Sequence, residues 1–166
     1  MSDAEQLAAL AWLHERFGRE GVAYWLFGGW AVDFHAGRVT RAHDDIDVAV
    51  WVRDKHRIAS VLSADGWHQI SETAAEGYIA YQRGAIRLEV AFLEQGAEGR
   101  VYTPTQEGRA DWPDATFSDD LAELRGVRAR IVSLAALRAD KAEIREDPQV
   151  AAKHRADMEV LAQLRP

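Results

Sequence analysis

Two hydrophobic periods alternate along the chain, and the switches between them divide it into elements. Leu7, Leu10, Ala11, Leu13 and Phe17 recur at helical spacing behind Ser2 and Glu5. That predicts an amphipathic helix opened by a capping box and ended at Gly18 or Gly21. Residues 22–27, VAYWLF, are β-branched and aromatic and bounded by glycine, the pattern of a buried strand. Gly28-Gly29 breaks it, and residues 30–36 predict a short helix stopped by Gly37. A second strand follows at 46–52, then a helix over 55–64 capped by Asp54 and closed by Gly66.

Residues 67–93 change to a hairpin pattern, with strands near 67–71, 78–83 and 85–92 and Gly84 in a tight turn. A short strand is expected at 101–103 and a polar loop over 105–120, which holds Glu107, Asp111, Asp114, Asp119 and Asp120. A last strand covers 127–132. Ser133 then caps a helix to about residue 146, Pro148 interrupts, and residues 149–164 form a final helix. No internal repeat is visible. The mixed order predicts an α/β or α+β fold around one mostly antiparallel or mixed sheet.

Composition narrows the function classes. A chain of 166 residues, 48% apolar and 28% charged, suits one folded domain, with a core over about 1–132 and C-terminal helices over about 133–166. The net charge of −7 makes it a poor partner for nucleic acid and a better one for a cationic substrate. There is no cysteine, which excludes disulfides, thiolate metal sites and a cysteine nucleophile. The N-terminus carries early acids and no basic region, and no apolar run approaches the ~20 residues of a membrane span. The expected location is cytoplasmic.

The candidate chemistry lies in residues 27–50, FGGWAVDFHAGRVTRAHDDIDVAV. Side chains alternate along a strand, so Asp45 and Asp47 project to one side and Asp44 to the other. Two carboxylates one pleat apart invite a cation, and Mg²⁺ prefers oxygen ligands shared with substrate phosphates. Strand, Gly28-Gly29 and helix together form an anion site, because N–H groups at a helix start are free and glycine admits a close approach. An Asp-rich turn in water and a plain strand-to-helix turn are the alternatives for each feature taken alone.

Taken together, the residues carry a pattern. Gly28, Gly29, Trp30, Asp33, Gly37, Thr40, Arg41, His43, Asp45, Ile46 and Asp47 resemble the active-site signature of nucleotidyltransferases of the DNA polymerase β superfamily. The nearest likeness is to the aminoglycoside 2″-adenylyltransferase and lincosamide nucleotidyltransferase branch. The resemblance implies a polymerase-β-like core with a mixed sheet flanked by helices. It also implies Mg²⁺-dependent transfer of a nucleoside monophosphate, AMP from ATP, to a hydroxyl of a small molecule such as an aminoglycoside or lincosamide. Pyrophosphate is the other product.

In that reading Asp45 and Asp47 hold metal. Glu89, the only acid of the next candidate strand before its end, completes the set as ligand, base or both. Gly28, Gly29, Arg41 and Lys141 serve the nucleotide, with a surface ion pair as the alternative for Arg41 and a solvated helix lysine for Lys141. His43, Trp30 and Asp33 are architectural. Asp44 faces water, and His154 with Asp157 suits a polar helix contact. Trp25, Trp51, Trp67 and Phe92 belong to the core, while Trp112 lines a substrate pocket. A homodimer is plausible from the resemblance, since short relatives often build the acceptor site with a second subunit. Two other functions stay open: a nucleotidyltransferase acting on a protein or tRNA, and a non-catalytic nucleotide-binding module.

Overall fold

The computed structural model describes residues 2–73, 77–106 and 108–165. Helix α1 (Asp3–Arg19) opens on the expected capping box, with Ser2 and Glu5 bonded reciprocally. Leu10, Leu13 and Phe17 on its inner face are fully buried. Strand β1 (Tyr24–Phe27) leads directly into α2 (Gly28–Ala36), so the two glycines form the first turn of the helix instead of preceding it. Gly37 closes α2 in the left-handed conformation at φ +67°. β2 (Ile46–Trp51) is followed by a short 3₁₀ turn and α3 (Lys55–Ala64). Asp54 stands before α3 but makes no capping bond; its backbone is helical and its carboxylate faces Arg57 at 3.8 Å.

The hairpin region forms β3 (His68–Thr73), β4 (Tyr78–Arg83) and β5 (Ile86–Gln95). Gly84, at φ +60°, takes the first position of the two-residue β4–β5 turn. The sheet order is β1-β2-β5-β4-β3, with β2 and β5 parallel and the other neighbours on this path antiparallel. β6 (Val101–Thr105) extends the far end of β5 and pairs with β7 (Gly108–Asp111). The sheet is therefore mixed, as the element order implied.

Two strands lie where the sequence pattern showed none. β7 occupies part of the expected 105–120 loop, and all four of its residues are exposed, so no apolar alternation marks it. β8 (Leu121–Leu124) pairs with β9 (Val127–Arg130) around Arg125-Gly126, both at positive φ. That ribbon touches the main sheet through Leu26 and Ile131. α4 (Leu134–Ala142) is capped by Ser133 but stops before the expected residue 146. α5 (Pro148–Gln163) begins at Pro148 instead of after it, with Asp147 as its cap. α4 and α5 pack on each other and on α2. Among the described residues, no helix is long and apolar enough to cross a membrane.

Candidate active site

The register of the sheet assembles the acids. Asp47 of β2 stands opposite Phe27 of β1 on one side and Glu89 of β5 on the other. Residues opposed across neighbouring strands share a face, so Phe27, Asp47 and Glu89 form one row. Asp45 lies just before the strand, outside its ladder, and is close enough for its charge to act on Asp47. In β4, Ala80 opposes Glu89, which puts Tyr78 on this face as well. Glu89 is thus central in the sheet, not on an edge strand, and Arg87 on the same face holds its carboxylate at 2.6 Å.

The row is electrostatically unbalanced. Burial, and then the charges of Asp45 and Glu89, push the Asp47 carboxyl well above the usual carboxylate range, with Lys141 opposing them. The Tyr78 hydroxyl is pushed up to about 12, first by burial and then by Asp47, Asp140 and Glu89. Among the described residues no three His, Asp or Glu side chains are gathered tightly enough to hold a metal unaided. The acids lie near one another and repel, which fits a cation whose remaining ligands are phosphate oxygens and water.

The glycines explain why the row and the helix meet. Gly28 has φ +66°, and a Cβ there would lie 2.0 Å from Asp47 Oδ2 and 2.9 Å from its Cγ. Only hydrogen lets the carboxylate rest on the first turn of α2. Phe27, at the N-cap, offers no side-chain oxygen, so the N–H groups of that turn have no side-chain cap. A Cβ on Gly29 would lie 2.5 Å from both Arg41 Nη2 and His43 Nδ1. The second glycine therefore makes room for neighbouring side chains.

Those side chains belong to a buried polar network that fixes the loop before Asp45. Asp33, fully buried in α2, accepts from the Thr40 backbone N–H and hydroxyl and meets His43 Nε2 at 2.6 Å. The Trp30 ring lies against the His43 ring at 4.5 Å. Gln6 of α1 accepts from Trp30 Nε1 and donates to the His43 carbonyl. Arg41 Nη1 faces His43 Nδ1 at 3.2 Å; since Arg only donates, Nδ1 is the acceptor and Nε2 carries the proton toward Asp33. Trp30, Asp33 and His43 thus lie together in one buried network next to the Asp45 loop.

Arg41 and Lys141 are held by one buried acid. Arg41 donates from Nε and Nη2 to the two oxygens of Asp157 at 2.8 and 3.0 Å. Lys141 Nζ lies 3.3 Å from Asp157 and 3.4 Å from Asp140. Lys141 is buried, not a solvated helix lysine. Burial opposes ionisation of Asp157, but Arg41 and Lys141 together hold its carboxyl below the usual range. Sequence reading missed this role of Asp157: its partner Arg41 is 116 residues away, and only the packing of α5 beside α2 joins them. Asp44 points outward, toward Lys153.

A cleft of about 820 Å³ opens beside the acid row: Phe27 and Tyr78 of that face line it, while Asp45, Asp47 and Glu89 do not. Phe27 and Tyr78 come to it from the sheet, Asp111 and Trp112 from the β7 region, and Asp140 and Arg145 from the end of α4 and beyond. Trp112 thus stands in a pocket wall, its indole N–H donating to Thr103 and its ring packed between Phe27 and Phe117. Trp25, Trp67 and Phe92 are core residues, and Trp51 packs partly buried against that core. Of the loop acids, Asp111 is paired with Arg109 and Asp119 with Arg130, while Glu107 lies outside the described residues.

A β-strand, Gly-Gly helix start and carboxylates on paired strands define a nucleotidyltransferase fold, and solved structures of that class superpose on it. The lincosamide antibiotic adenylyltransferase LnuA, lincomycin-bound, matches with TM-score 0.74 and 17% identity over 96% of this chain and 98% of its own. ANT(2″)-Ia in complex with adenylyl-2″-tobramycin matches with TM-score 0.72 and 20% identity over 95% and 90%. The family model for aminoglycoside-2″-adenylyltransferase matches residues 9–161, and the chain belongs to that family. A 2″-aminoglycoside nucleotidyltransferase of Escherichia coli is 67% identical over 56 residues, which are 34% of this chain but only 31% of that relative.

Proposed function

We propose that this chain transfers AMP from ATP to a hydroxyl of an aminoglycoside or lincosamide antibiotic, releasing pyrophosphate. The observation that carries the reading is the row of Asp47 and Glu89 across β2 and β5, with Asp45 near it and a cleft alongside. Mg²⁺ fits these acids, and when bound it would neutralise phosphate charge and make the acceptor hydroxyl easier to deprotonate.

The chain's own groups do the rest. Uncapped N–H groups in the first turn of α2 bind the nucleotide's phosphates beside Gly28. Glu89, oriented by Arg87, stands on the acid face where an acceptor hydroxyl approaches, and it accepts that proton. Lys141 supplies positive charge behind Asp47. Arg41 is committed to Asp157, so its service to the nucleotide is to hold the loop that presents Asp45. Trp112 and Phe27 give the acceptor an apolar wall, and Asp111 and Asp140 provide carboxylates for its ammonium groups.

The test is pyrophosphate release with each nucleoside triphosphate against a panel containing tobramycin and lincomycin, with and without Mg²⁺. Release that requires ATP, Mg²⁺ and one of these antibiotics is the expected result. Binding of Mg·ATP with no release for any acceptor would refute it.

A further inference from the structure

Arg41 and Arg145 each pair with aspartate, and the two pairs differ in how completely they are made. Arg41 meets Asp157 with two nitrogens on two oxygens, the strong fork geometry. Arg145 reaches Asp140 at 2.9 Å and Glu143 at 3.0 Å with the same nitrogen, Nη2. Its Nε is buried and has no hydrogen-bond partner among the described residues. A guanidinium held through one nitrogen, with another desolvated and unpaired, forgoes the bidentate gain and carries the cost of an orphan donor.

Its surroundings weaken it further. The side chains of Arg145 and Asp140 are 35% and 34% exposed, so water screens their attraction. The other cleft arginine is better seated: Arg109 places Nη2 on Glu98 and Nε on Asp111, and its guanidinium lies over the Tyr102 ring. Arg145 also sits in the connection between α4 and α5, outside either helix. Asp140, which it covers, lines the cleft and is close enough to act on both Asp47 and Tyr78.

We infer that Arg145 is a place-holding cation: it covers Asp140 and Glu143 in the free protein and gives way to an ammonium group of the acceptor. The inference rests on the reading that the acceptor approaches the acid row through this cleft. An ammonium brings three donors to the same two carboxylates and releases Arg145 to water, where Nε regains a partner. An acceptor without such a group leaves Arg145 in place. The α4–α5 connection thereby sorts acceptors by positive charge, and Arg145 sets the threshold.

The test is Arg145→Gln, with tobramycin as the cationic probe and lincomycin as the comparison. Calorimetry without nucleotide gives tobramycin affinity at about 50 and 300 mM KCl, and pyrophosphate release gives acceptor and nucleotide KM. Removing a partly exposed competitor should tighten tobramycin about fivefold, steepen its salt dependence, and leave nucleotide KM unchanged. In an Asp140→Asn background, Arg145→Gln should no longer tighten binding. Weaker tobramycin binding by Arg145→Gln, no change, or a raised nucleotide KM overturns the inference; the last would make Arg145 a phosphate anchor. If lincomycin supports turnover but neither protein binds tobramycin, the inference fails and the transfer reading stands. If no acceptor supports turnover yet Arg145→Gln still binds tobramycin more tightly, the place-holder stands and the transfer reading fails.

Discussion

Gly28 and Asp47 occupy one space, and each sets the conditions for the other. Gly28→Ala places a methyl 2.0 Å from the Asp47 carboxylate at a backbone φ of +66°. The expected outcome is a loss of about 1–2 kcal/mol in urea denaturation from the left-handed backbone, and a fall in turnover of at least about a hundredfold as Asp47 is displaced. Asp47→Asn separates the chemistry from the fold. It keeps the shape, removes a half-buried charge that Asp45 and Glu89 oppose, and should abolish transfer while metal-free thermal stability stays equal or rises by up to about 1 kcal/mol. Retained turnover would exclude Asp47 as a metal ligand.

Asp157 makes the opposite case. Asp157→Asn strips Arg41 and Lys141 of a shared counter-charge and should cost about 2–3 kcal/mol at pH 7, less than for a fully buried pair because Arg41 keeps some contact with water. The folded carboxyl sits below its ordinary range, so its contribution is complete above roughly pH 4 and disappears as pH falls through the lowered value. Denaturation midpoints of wild type and variant should therefore converge in acid. A gap that persists below that range would mean Asp157 acts by packing alone. From the sequence, Asp45 and Asp47 could be paired because strand alternation is local, and Glu89 follows only from the family resemblance, which implies a third acid on a later strand. The tie between Arg41 and Asp157 could not be read there, because it depends on how a distant helix packs.

At the scale of elements, local signals placed what local chemistry specifies. The Ser2 capping box, the strand-to-helix switch at Gly28 and the Gly84 turn are each written in a few adjacent residues and each appears in the fold. β7 was not legible because its four residues are all exposed, and β8 because only one of its residues is buried. The Arg125-Gly126 turn was the available signal for β8 and β9, since glycine at positive φ suits a two-residue hairpin. The helix boundary at α5 turned on reading Pro148 as a breaker, when proline at a first helical position is favourable and Asp147 before it is a good cap. Asp147 Oδ1 accepts from the N–H groups of Gln149 and Val150 at 2.7 and 3.1 Å. Asp147→Ala should then cost about 1 kcal/mol in chemical denaturation. Because α5 carries Asp157, the same change should lower Arg41-dependent order in the Asp45 loop, read as faster amide exchange at residues 41–44.

At the scale of the whole molecule, 27 acids against 20 Lys and Arg give a field that draws cations, while the cleft itself is more nearly balanced. Asp111 lines the cleft and is paired with Arg109, whereas Asp114 is exposed and outside the lining. A general field and a specific contact therefore separate on two conservative variants. With a polycationic acceptor such as tobramycin, the exposed charges are screened beyond a Debye length of ~8 Å at physiological ionic strength, so kcat/KM should fall as salt rises. If Asp111 meets an ammonium group, Asp111→Asn should raise acceptor KM severalfold and flatten that salt dependence, with nucleotide KM unchanged. Asp114→Asn should do neither, because it removes the same charge from a place the acceptor does not touch. Equal, small shifts from both variants would show that attraction comes from net charge alone, and acceptor recognition would then rest on Asp140, Glu143 and the aromatic wall of Phe27 and Trp112.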